Sequence, residues 1–294
     1  MGRSESLIGF CVKTYLPEQQ GRLSRKSYKR EQGIVKNHVG RLLDMDIHLI
    51  TEERISQYKT RRLDEKGGSP DTVHKELRVL SHIFSKAVDY GKASRNPVDK
   101  VELPKQAPGR VRYLNRQEMQ AWPKVLKVLP EQMRPIVSLM QHTALRRGEA
   151  VRLLWADIDL DHELLIVRKD KRGKAKILPL SSPALEILKA QPRVNELVFP
   201  CVNEDYLTQC FHQATRAAGI INFRLHDLRH NFASHLAMAG TDILTLRDLL
   251  GHSDTRMTSR YSHLTAAHLK RAVDKLPEVF ERLADGDENK ETIN

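Results

Sequence analysis

The stretch RLHDLRHNFASHL, residues 224–236, places three histidines and two arginines within thirteen residues. On a helix, His226 and Arg229 share a face because they are three residues apart, and His226 and His230 are one turn apart. Its apolar residues recur at i, i+3, i+7 and i+11, which predicts a core-facing stripe formed by Leu225, Leu228, Phe232 and Leu236. Arginine and histidine on the polar face can bind a phosphate or another oxyanion through charge-assisted hydrogen bonds.

Two other interpretations compete for this stretch. The first is a solvated polar face that contains one histidine bonded within the fold. The second is a zinc site, since histidines at i and i+4 resemble half of a zinc hydrolase helix, with Asp227 in place of the usual Glu. Arg229 disfavours zinc, because a guanidinium next to a divalent cation adds repulsion. The stretch by itself leaves the solvated face and the anion site open.

The rest of the chain supplies groups that favour an anion site. The six residues of the set, in chain order, are Arg146 in TALRRGE, Lys171 in KDKRGK, His226, Arg229, His252 in LGHS and Tyr261 in SRYSH. Two arginines can bind the non-bridging oxygens of a phosphodiester as charge grows on them. Tyr261 can act as nucleophile if His226 takes its proton, and Lys171 can protonate the departing 5′ oxygen. His252 can donate a further hydrogen bond to the phosphoryl oxygens.

This set resembles the tyrosine recombinase family, the phage-integrase type of site-specific recombinase. The resemblance extends over nearly the whole chain and is most specific in HDLRHNFASHLAMAG, LRDLLGHSD and RYSH. It implies that Arg146 and Arg229 clamp the scissile phosphate and that Tyr261 forms a 3′-phosphotyrosine. It also implies Lys171 as general acid, His226 as base and His252 as hydrogen-bond donor, with no cofactor, metal or ATP.

Several neighbours of the set receive other roles. Lys171 is chosen over Lys176 and the other hairpin lysines by alignment with the family's hairpin. Glu149 is expected to brace Arg146 or its helix, and His230 to be a packing or surface group. The family usually has glycine where this chain has Ala144, so a positive φ there would strain the alanine without inactivating the enzyme.

Composition indicates a globular protein with a polyanionic partner. The chain has 294 residues, 40% of them hydrophobic, a formal net charge of +12 and a pI of about 9.6. Basic residues exceed acidic ones in both halves, which predicts contact with nucleic acid. Three cysteines without a CxxC pair make a disulfide framework or a cysteine zinc site improbable. The lack of an eighteen-residue apolar run and of a secretory signal predicts a cytoplasmic protein with no membrane partner.

Local patterns predict a mainly α fold with a small β-sheet or hairpin. We divide the chain into a helical core-binding domain (1–104), a basic linker (105–112), an α-rich mixed catalytic domain (113–284) and an acidic tail (285–294). Helices are predicted after Thr51 and Ser69, which suit N-caps, and after Asn115, which has capping-box spacing to Glu118. The helix after Ser69 is expected to turn an apolar stripe toward the core, formed by Val73, Leu77, Leu80, Phe84, Ala87 and Val88. A hairpin is predicted around Gly173 and a last amphipathic helix through Leu283. Arg110 and Arg112 are expected to let the linker lie along a phosphate backbone.

These features predict a site-specific DNA recombinase or integrase that cleaves and rejoins duplex DNA and integrates or excises a mobile element. Its expected partners are double-stranded DNA, further copies of itself from dimer to tetramer, and accessory DNA-bending or excision factors. Two alternatives remain at this point. A type IB topoisomerase-like enzyme would relax supercoils with a similar site, and a non-catalytic DNA-binding excision factor would retain only the fold.

Overall fold

The structure, a computed structural model, describes residues 5–39, 42, 44–106, 109–167, 175–200, 202–265, 274 and 277. The chain divides into two compact units, residues 1–108 and 109–294. Lys171, the acidic tail and nearly all of the last predicted helix lie outside the described residues. No helix in the described ranges is long and apolar enough to cross a membrane.

Helices are the main regular elements of the first unit in its described part, which also has one isolated β-bridge between Ser6 and Asp46. Its α-helices are α1 (Leu7–Phe10), α2 (Leu16–Arg22), α3 (Arg25–Asn37), α4 (Glu52–Asp64) and α5 (Pro70–Asp89), with a π-helical turn at Cys11–Tyr15 and a 3₁₀ turn at Ile47–Leu49. The predicted N-caps of α4 and α5 are confirmed. The Thr51 hydroxyl accepts a hydrogen bond from the Arg54 amide, and the Ser69 hydroxyl accepts one from Thr72.

Helix α5 lines the core of this unit with the apolar residues that its periodicity predicts. The buried members are Val73, Leu77, Leu80, Phe84 and Ala87. Val88, predicted with them, is instead 36% exposed. It follows Ala87 directly, so the helix turns its side chain about 100° away from the core side.

The second unit combines helices with one small sheet. Its α-helices are α6 (Arg116–Val128), α7 (Arg134–Thr143), α8 (Arg147–Val151), α9 (Ser182–Lys189), α10 (Glu204–Ala217), α11 (Asp227–Ala239) and α12 (Ile243–Leu250). Short 3₁₀ segments occur at Glu131–Met133, Trp155–Asp157, Thr255–Met257 and Ser259–Thr265. The predicted capping box of α6 is present, since Asn115 and Glu118 each bond the other's backbone amide.

The sheet has three antiparallel strands in the order β1 (Ile158–Asp159), β2 (Leu164–Val167) and β3 (Lys176–Pro179). Strands β2 and β3 pair from Leu164 opposite Pro179 to Val167 opposite Lys176, so the antiparallel strand pairing of the predicted hairpin is confirmed, while its turn around Gly173 lies outside the described residues. Strand β1 was not predicted because two residues carry no alternation pattern. The mainly α fold with a small sheet is thereby confirmed.

The arginines at the start of the second unit have bonding partners that the sequence did not predict. Arg110 Nη2 lies 3.1 Å from Asp227 Oδ2, and Arg112 Nη1 donates to Glu118 Oε2 at 2.9 Å. Both guanidinium groups therefore pair with carboxylates of their own unit. This pairing reduces the charge that we expected the segment to offer to a phosphate backbone.

Candidate active site

Helix α11, which contains the HDLRH motif, is packed on several sides. It contacts α7, α12 and the 3₁₀ segment Ser259–Thr265. His226 forms its N-cap, and Gly240, with a φ of +102°, closes it. The predicted stripe is half correct: Leu225 and Leu228 are buried, whereas Phe232 and Leu236 are only partly buried. Small and polar residues take the remaining buried positions, including Asn231, Ala233, Ser234 and Ala237.

Arg229 is a buried cation held by neutral groups. Its side chain donates from Nη1 to the Ala144 carbonyl at 2.9 Å and from Nη2 to the Leu250 carbonyl. These carbonyls end α7 and α12, where the helix dipole favours positive charge. Arg229 is only 4% exposed and has no salt bridge within the described residues. Burial, followed by repulsion from Arg146, lowers the pKa of Arg229 to about 10.

Arg146 stands at the N-terminus of α8 and is held by Glu149. The Glu149 carboxylate accepts one hydrogen bond from the Arg146 amide at 2.8 Å and another from Arg146 Nη1 at 2.7 Å. The expected bracing role of Glu149 is thus confirmed as a contact. The Arg146 side chain remains 43% exposed, so its other donors can reach an incoming anion.

The turn between α7 and α8 depends on Ala144. This alanine has a φ of +53°, the left-handed region that its departure from the family's glycine predicts to be strained. Ala144 is fully buried in the same small apolar cluster as Leu250 and Tyr261. Its backbone conformation turns its carbonyl to Arg229, so the strained residue helps to orient that guanidinium.

Tyr261 is fully enclosed, with 1% of its surface exposed. Its hydroxyl lies 2.6 Å from His230 Nδ1, and the two rings are 6.0 Å apart between centroids. Burial raises the pKa of Tyr261, while Arg260 and Arg229 act in the opposite direction. His230, which we expected to be a packing or surface group, is therefore the direct partner of the predicted nucleophile.

The other two predicted histidines flank this pair. The His226 ring meets the His230 ring edge to face, with centroids 5.3 Å apart. His252 Nδ1 lies 2.9 Å from the hydroxyl oxygen of the buried Thr258. Partial burial and then the charge of Arg229 lower the pKa of both His226 and His252, that of His252 to about 4.

Lys171 lies outside the described residues, but another lysine of the same hairpin reaches the site. Lys176 begins β3, is 7% exposed, and its Nζ has no hydrogen-bond partner among the described residues. Its side chain passes Gly251, where a Cβ would come within 2.7 Å of Lys176 Cδ. Burial, and then Arg229, lowers the pKa of Lys176 to about 7.

Five of the six predicted residues thus gather around α11. Besides burial, the charge of Arg146 lowers the pKa of Arg229, whereas Tyr261 raises it. The charge of Arg229 in turn lowers the pKa values of the partly buried His226 and His252. Sequence reasoning missed His230 and Lys176. The i, i+4 spacing of His226 and His230 was a usable signal for the first. For Lys176, the usable signal was the alternation along β3, which places this lysine on the same face as the buried Leu178.

The described residues contain no group of three or more His, Cys, Asp or Glu side chains that could hold a metal ion. The arrangement instead concentrates cationic and hydrogen-bonding groups beside a tyrosine hydroxyl. Such a site can bind a tetrahedral or pentacoordinate phosphorus centre and present an oxygen nucleophile to it.

Comparison with known proteins shows the family to which the chain is similar. A sequence profile of the phage integrase family matches residues 112–268. The shufflon-specific DNA recombinase of Escherichia coli is 31% identical over 266 residues, which cover 85% of this chain and 67% of that protein. The tyrosine recombinase XerA of Thermococcus kodakarensis is 29% identical, over 76% of this chain and 88% of its own length.

Solved structures show the same fold. A lambda integrase dimer bound to a COC′ core site superposes with a TM-score of 0.70 and 22% identity, over 83% of this chain and 94% of that chain. An integrase of the transposon Tn1549 in complex with a circular intermediate DNA gives a TM-score of 0.71 at 18% identity, over 91% and 100% of the two chains. The chain therefore belongs to the phage integrase family of tyrosine recombinases, which are DNA strand-exchange enzymes.

Proposed function

We propose that this recombinase cleaves and rejoins duplex DNA at specific sites through a 3′-phosphotyrosine on Tyr261, and that it integrates or excises a mobile element. The observation that carries the proposal is the enclosure of the Tyr261 hydroxyl beside Arg229. No carboxylate is hydrogen-bonded to that buried guanidinium in the described residues, and Glu149 acts on it only through its charge, so a phosphodiester is a suitable counter-ion for it.

In the proposed reaction Arg146 and Arg229 bind the non-bridging oxygens of the scissile phosphate. The Tyr261 oxygen attacks phosphorus, and the bond to the 5′ oxygen breaks. Lys171, assigned by resemblance, protonates the departing oxygen, and His252 donates a hydrogen bond to the phosphoryl group. His226, which the resemblance implies as the base, belongs to the same catalytic set. The phosphotyrosine ester conserves the energy of the broken bond, so rejoining needs no ATP or metal.

We further propose that residues 1–104 and 113–284 both contact duplex DNA and that 105–112 links them. The net charge of +12 supports a polyanionic partner. Assembly of several copies on DNA is supported by the lambda integrase structures, which are a dimer on a core site and a tetramer on a Holliday junction. Accessory DNA-bending or excision factors and action in the cytoplasm complete the proposal.

Covalent trapping tests the nucleophile. The protein is incubated with a nicked suicide duplex that contains its crossover site, and denaturing gels are used to detect a protein–DNA adduct. Wild type and the control Tyr206→Phe, which alters a half-exposed tyrosine on α10, should form it. Tyr261→Phe should not. An adduct that survives in Tyr261→Phe removes the proposed nucleophile.

Supercoiled plasmids that carry two crossover sites test strand exchange. Recombinant products are expected from wild type. Relaxed plasmid without recombinants would point to topoisomerase-like activity, and binding without any adduct on the true site would point to a non-catalytic factor.

A further inference from the structure

The Tyr261 hydroxyl must lose its proton when it forms a bond to phosphorus. Tyr261 is 1% exposed, so bulk water has little access to that oxygen in this state. The hydrogen bond of the hydroxyl joins it to His230 Nδ1 at 2.6 Å. A group that accepts a proton from a nucleophile must lie within about 2.6–3.2 Å of it, and His230 meets that requirement.

His230 is also in the protonation state that a proton acceptor needs. Burial and then the neighbouring His226 lower the pKa of His230 to about 4, so the ring is neutral near pH 7. Asp227 opposes this shift, whereas Arg229 on the same helix and Arg260 on the neighbouring segment reinforce it. A neutral ring with its proton on Nε2 leaves the Nδ1 lone pair facing the hydroxyl.

The position of His226 differs from that of His230. Its ring contacts the His230 ring edge to face, and it forms no hydrogen bond to Tyr261 in the structure. His226 is therefore placed to act on the phosphate or on the orientation of His230. The sequence favoured His226 because the family motif assigns it. The geometry favours the histidine one turn later.

We propose that His230 is the catalytic proton acceptor for Tyr261, an inference that rests on the proposed function. As the Tyr261 oxygen forms its bond to phosphorus and the bond from phosphorus to the 5′ oxygen breaks, the hydroxyl proton moves to His230 Nδ1. The 5′ oxygen receives a separate proton from the general acid. In rejoining, the 5′ oxygen forms its bond to phosphorus and returns its proton to the general acid, while the bond from phosphorus to Tyr261 breaks and His230 returns its proton to the tyrosine oxygen.

His230→Asn separates proton transfer from simple positioning. Asparagine can place its amide oxygen where Nδ1 lies, so it keeps a hydrogen-bond acceptor that cannot take the proton. We expect its single-turnover cleavage rate on the suicide duplex to fall by about 10²–10⁴-fold, with duplex affinity within about twofold of wild type. His235→Asn makes the same change farther along α11, at a ring that packs on Tyr113, and should keep the wild-type rate.

The pH dependence of the cleavage rate distinguishes proton transfer by His230 from a purely structural role. Because neutral His230 is the active form, the wild-type cleavage rate should fall as pH decreases toward about 4, and His230→Asn should lack this acid limb. Imidazole should restore part of the rate to His230→Ala, which serves as the second variant if His230→Asn folds poorly.

Two results would overturn the assignment. One is cleavage by His230→Asn at the wild-type rate with an unchanged acid limb. The other is loss of that limb in His226→Asn instead, which would return the role to His226. Slow formation of a Tyr261-linked adduct by His230→Asn would show that the nucleophile itself is intact. Absence of an adduct with wild type would contradict the proposed function rather than this inference.

Discussion

The two units each bury an arginine, and they treat its charge in opposite ways. Arg62, 6% exposed in the first unit, bonds both oxygens of Glu76 at 2.7 and 3.0 Å, and Tyr58 donates to the same carboxylate. The hydrogen bonds to Glu76 raise the pKa of Arg62 above its ordinary value. Arg229, equally buried, bonds only carbonyl groups and has a lowered pKa.

This contrast separates a charge that serves the fold from one that, by our proposal, serves a ligand. The charge of Arg62 is neutralised by Glu76 within the chain, so removing Arg62 leaves a buried carboxylate without its ion-pair partner. Arg229 carries a desolvated charge to which no carboxylate is hydrogen-bonded in the described residues, although the charge of Glu149 partly compensates it, and this favours the unfolded state and binding of an anion. The structure therefore predicts different losses when each arginine is removed.

Arg229→Met should slow DNA cleavage more than any other substitution discussed below. It removes a donor fork from the developing phosphorane, so we expect cleavage of the suicide duplex to slow on the order of 10³-fold. Its free energy of unfolding should change by only about 1 kcal/mol, because losing two hydrogen bonds is offset by removing a buried charge. Single-turnover cleavage and urea unfolding measure the two quantities.

Arg62→Met should behave in the opposite way. Stranding Glu76, which is 1% exposed, should lower the free energy of unfolding by about 3–5 kcal/mol, while the folded enzyme keeps most of its cleavage rate. Glu65→Gln removes the more exposed partner of Arg62 and should have a much smaller effect on stability. Equal losses of stability in Arg229→Met and Arg62→Met would contradict the contrast.

Lys176 resembles Arg229 because it is a second buried cation, and its Nζ has no hydrogen-bond partner in the described part of the site. Its pKa is about 7 in the folded protein against 10.5 for an ordinary lysine, so the unfolded chain binds more protons between these values. The free energy of unfolding should therefore rise from pH 7 to pH 9, and Lys176→Met should remove much of this slope. Urea unfolding at both pH values tests this, with the exposed Lys189→Met as control.

A phosphate bound beside Lys176 should favour its charged form. We expect Lys176→Met to weaken binding of the cognate duplex by about tenfold, the size of one charge-assisted hydrogen bond, and Lys176→Arg to retain more affinity. If Lys176→Met binds as tightly as wild type, the lysine fills space without contributing to anion binding.

The smallest expected effect concerns the turn that holds Arg229. Ala144→Gly relieves a left-handed alanine, but it loses a buried methyl group and gives the unfolded chain more freedom. Unfolding free energy should change by less than about 1 kcal/mol and cleavage by less than about threefold.

Gly251→Ala is the matched opposite change. It introduces a Cβ at a φ of +59° and within 2.7 Å of Lys176 Cδ, so it should destabilise by about 1–2 kcal/mol. A neutral Gly251→Ala, or a strongly destabilised Ala144→Gly, would show that these turns are more adaptable than their backbone angles indicate.

The sequence predicted the elements that have strong local patterns. Thr51, Ser69 and Asn115 marked helix starts because side-chain caps act over three residues. The hairpin followed from β-rich runs on both sides of a basic turn. The two-residue strand β1 and the exposure of Val88 could not be predicted, since they depend on tertiary packing.

The site was predicted less completely than the fold. Motif order predicted Arg146, Arg229 and Tyr261 as site residues, but it carries no distances, so it could not decide which histidine meets the tyrosine hydroxyl. The partner of Tyr261 is fixed by how Ser259–Thr265 packs on α11. That contact joins residues thirty-one positions apart and leaves no local pattern in the sequence.

Mapping the covalent complex tests whether Tyr261 attacks a phosphate held by Arg146 and Arg229. The wild-type adduct with a suicide duplex is digested with protease and nuclease, and the modified peptide is sequenced by mass spectrometry. We predict a nucleotide joined through its 3′ phosphate to Tyr261. A nucleotide on another residue, or one joined through a 5′ phosphate, would contradict the account.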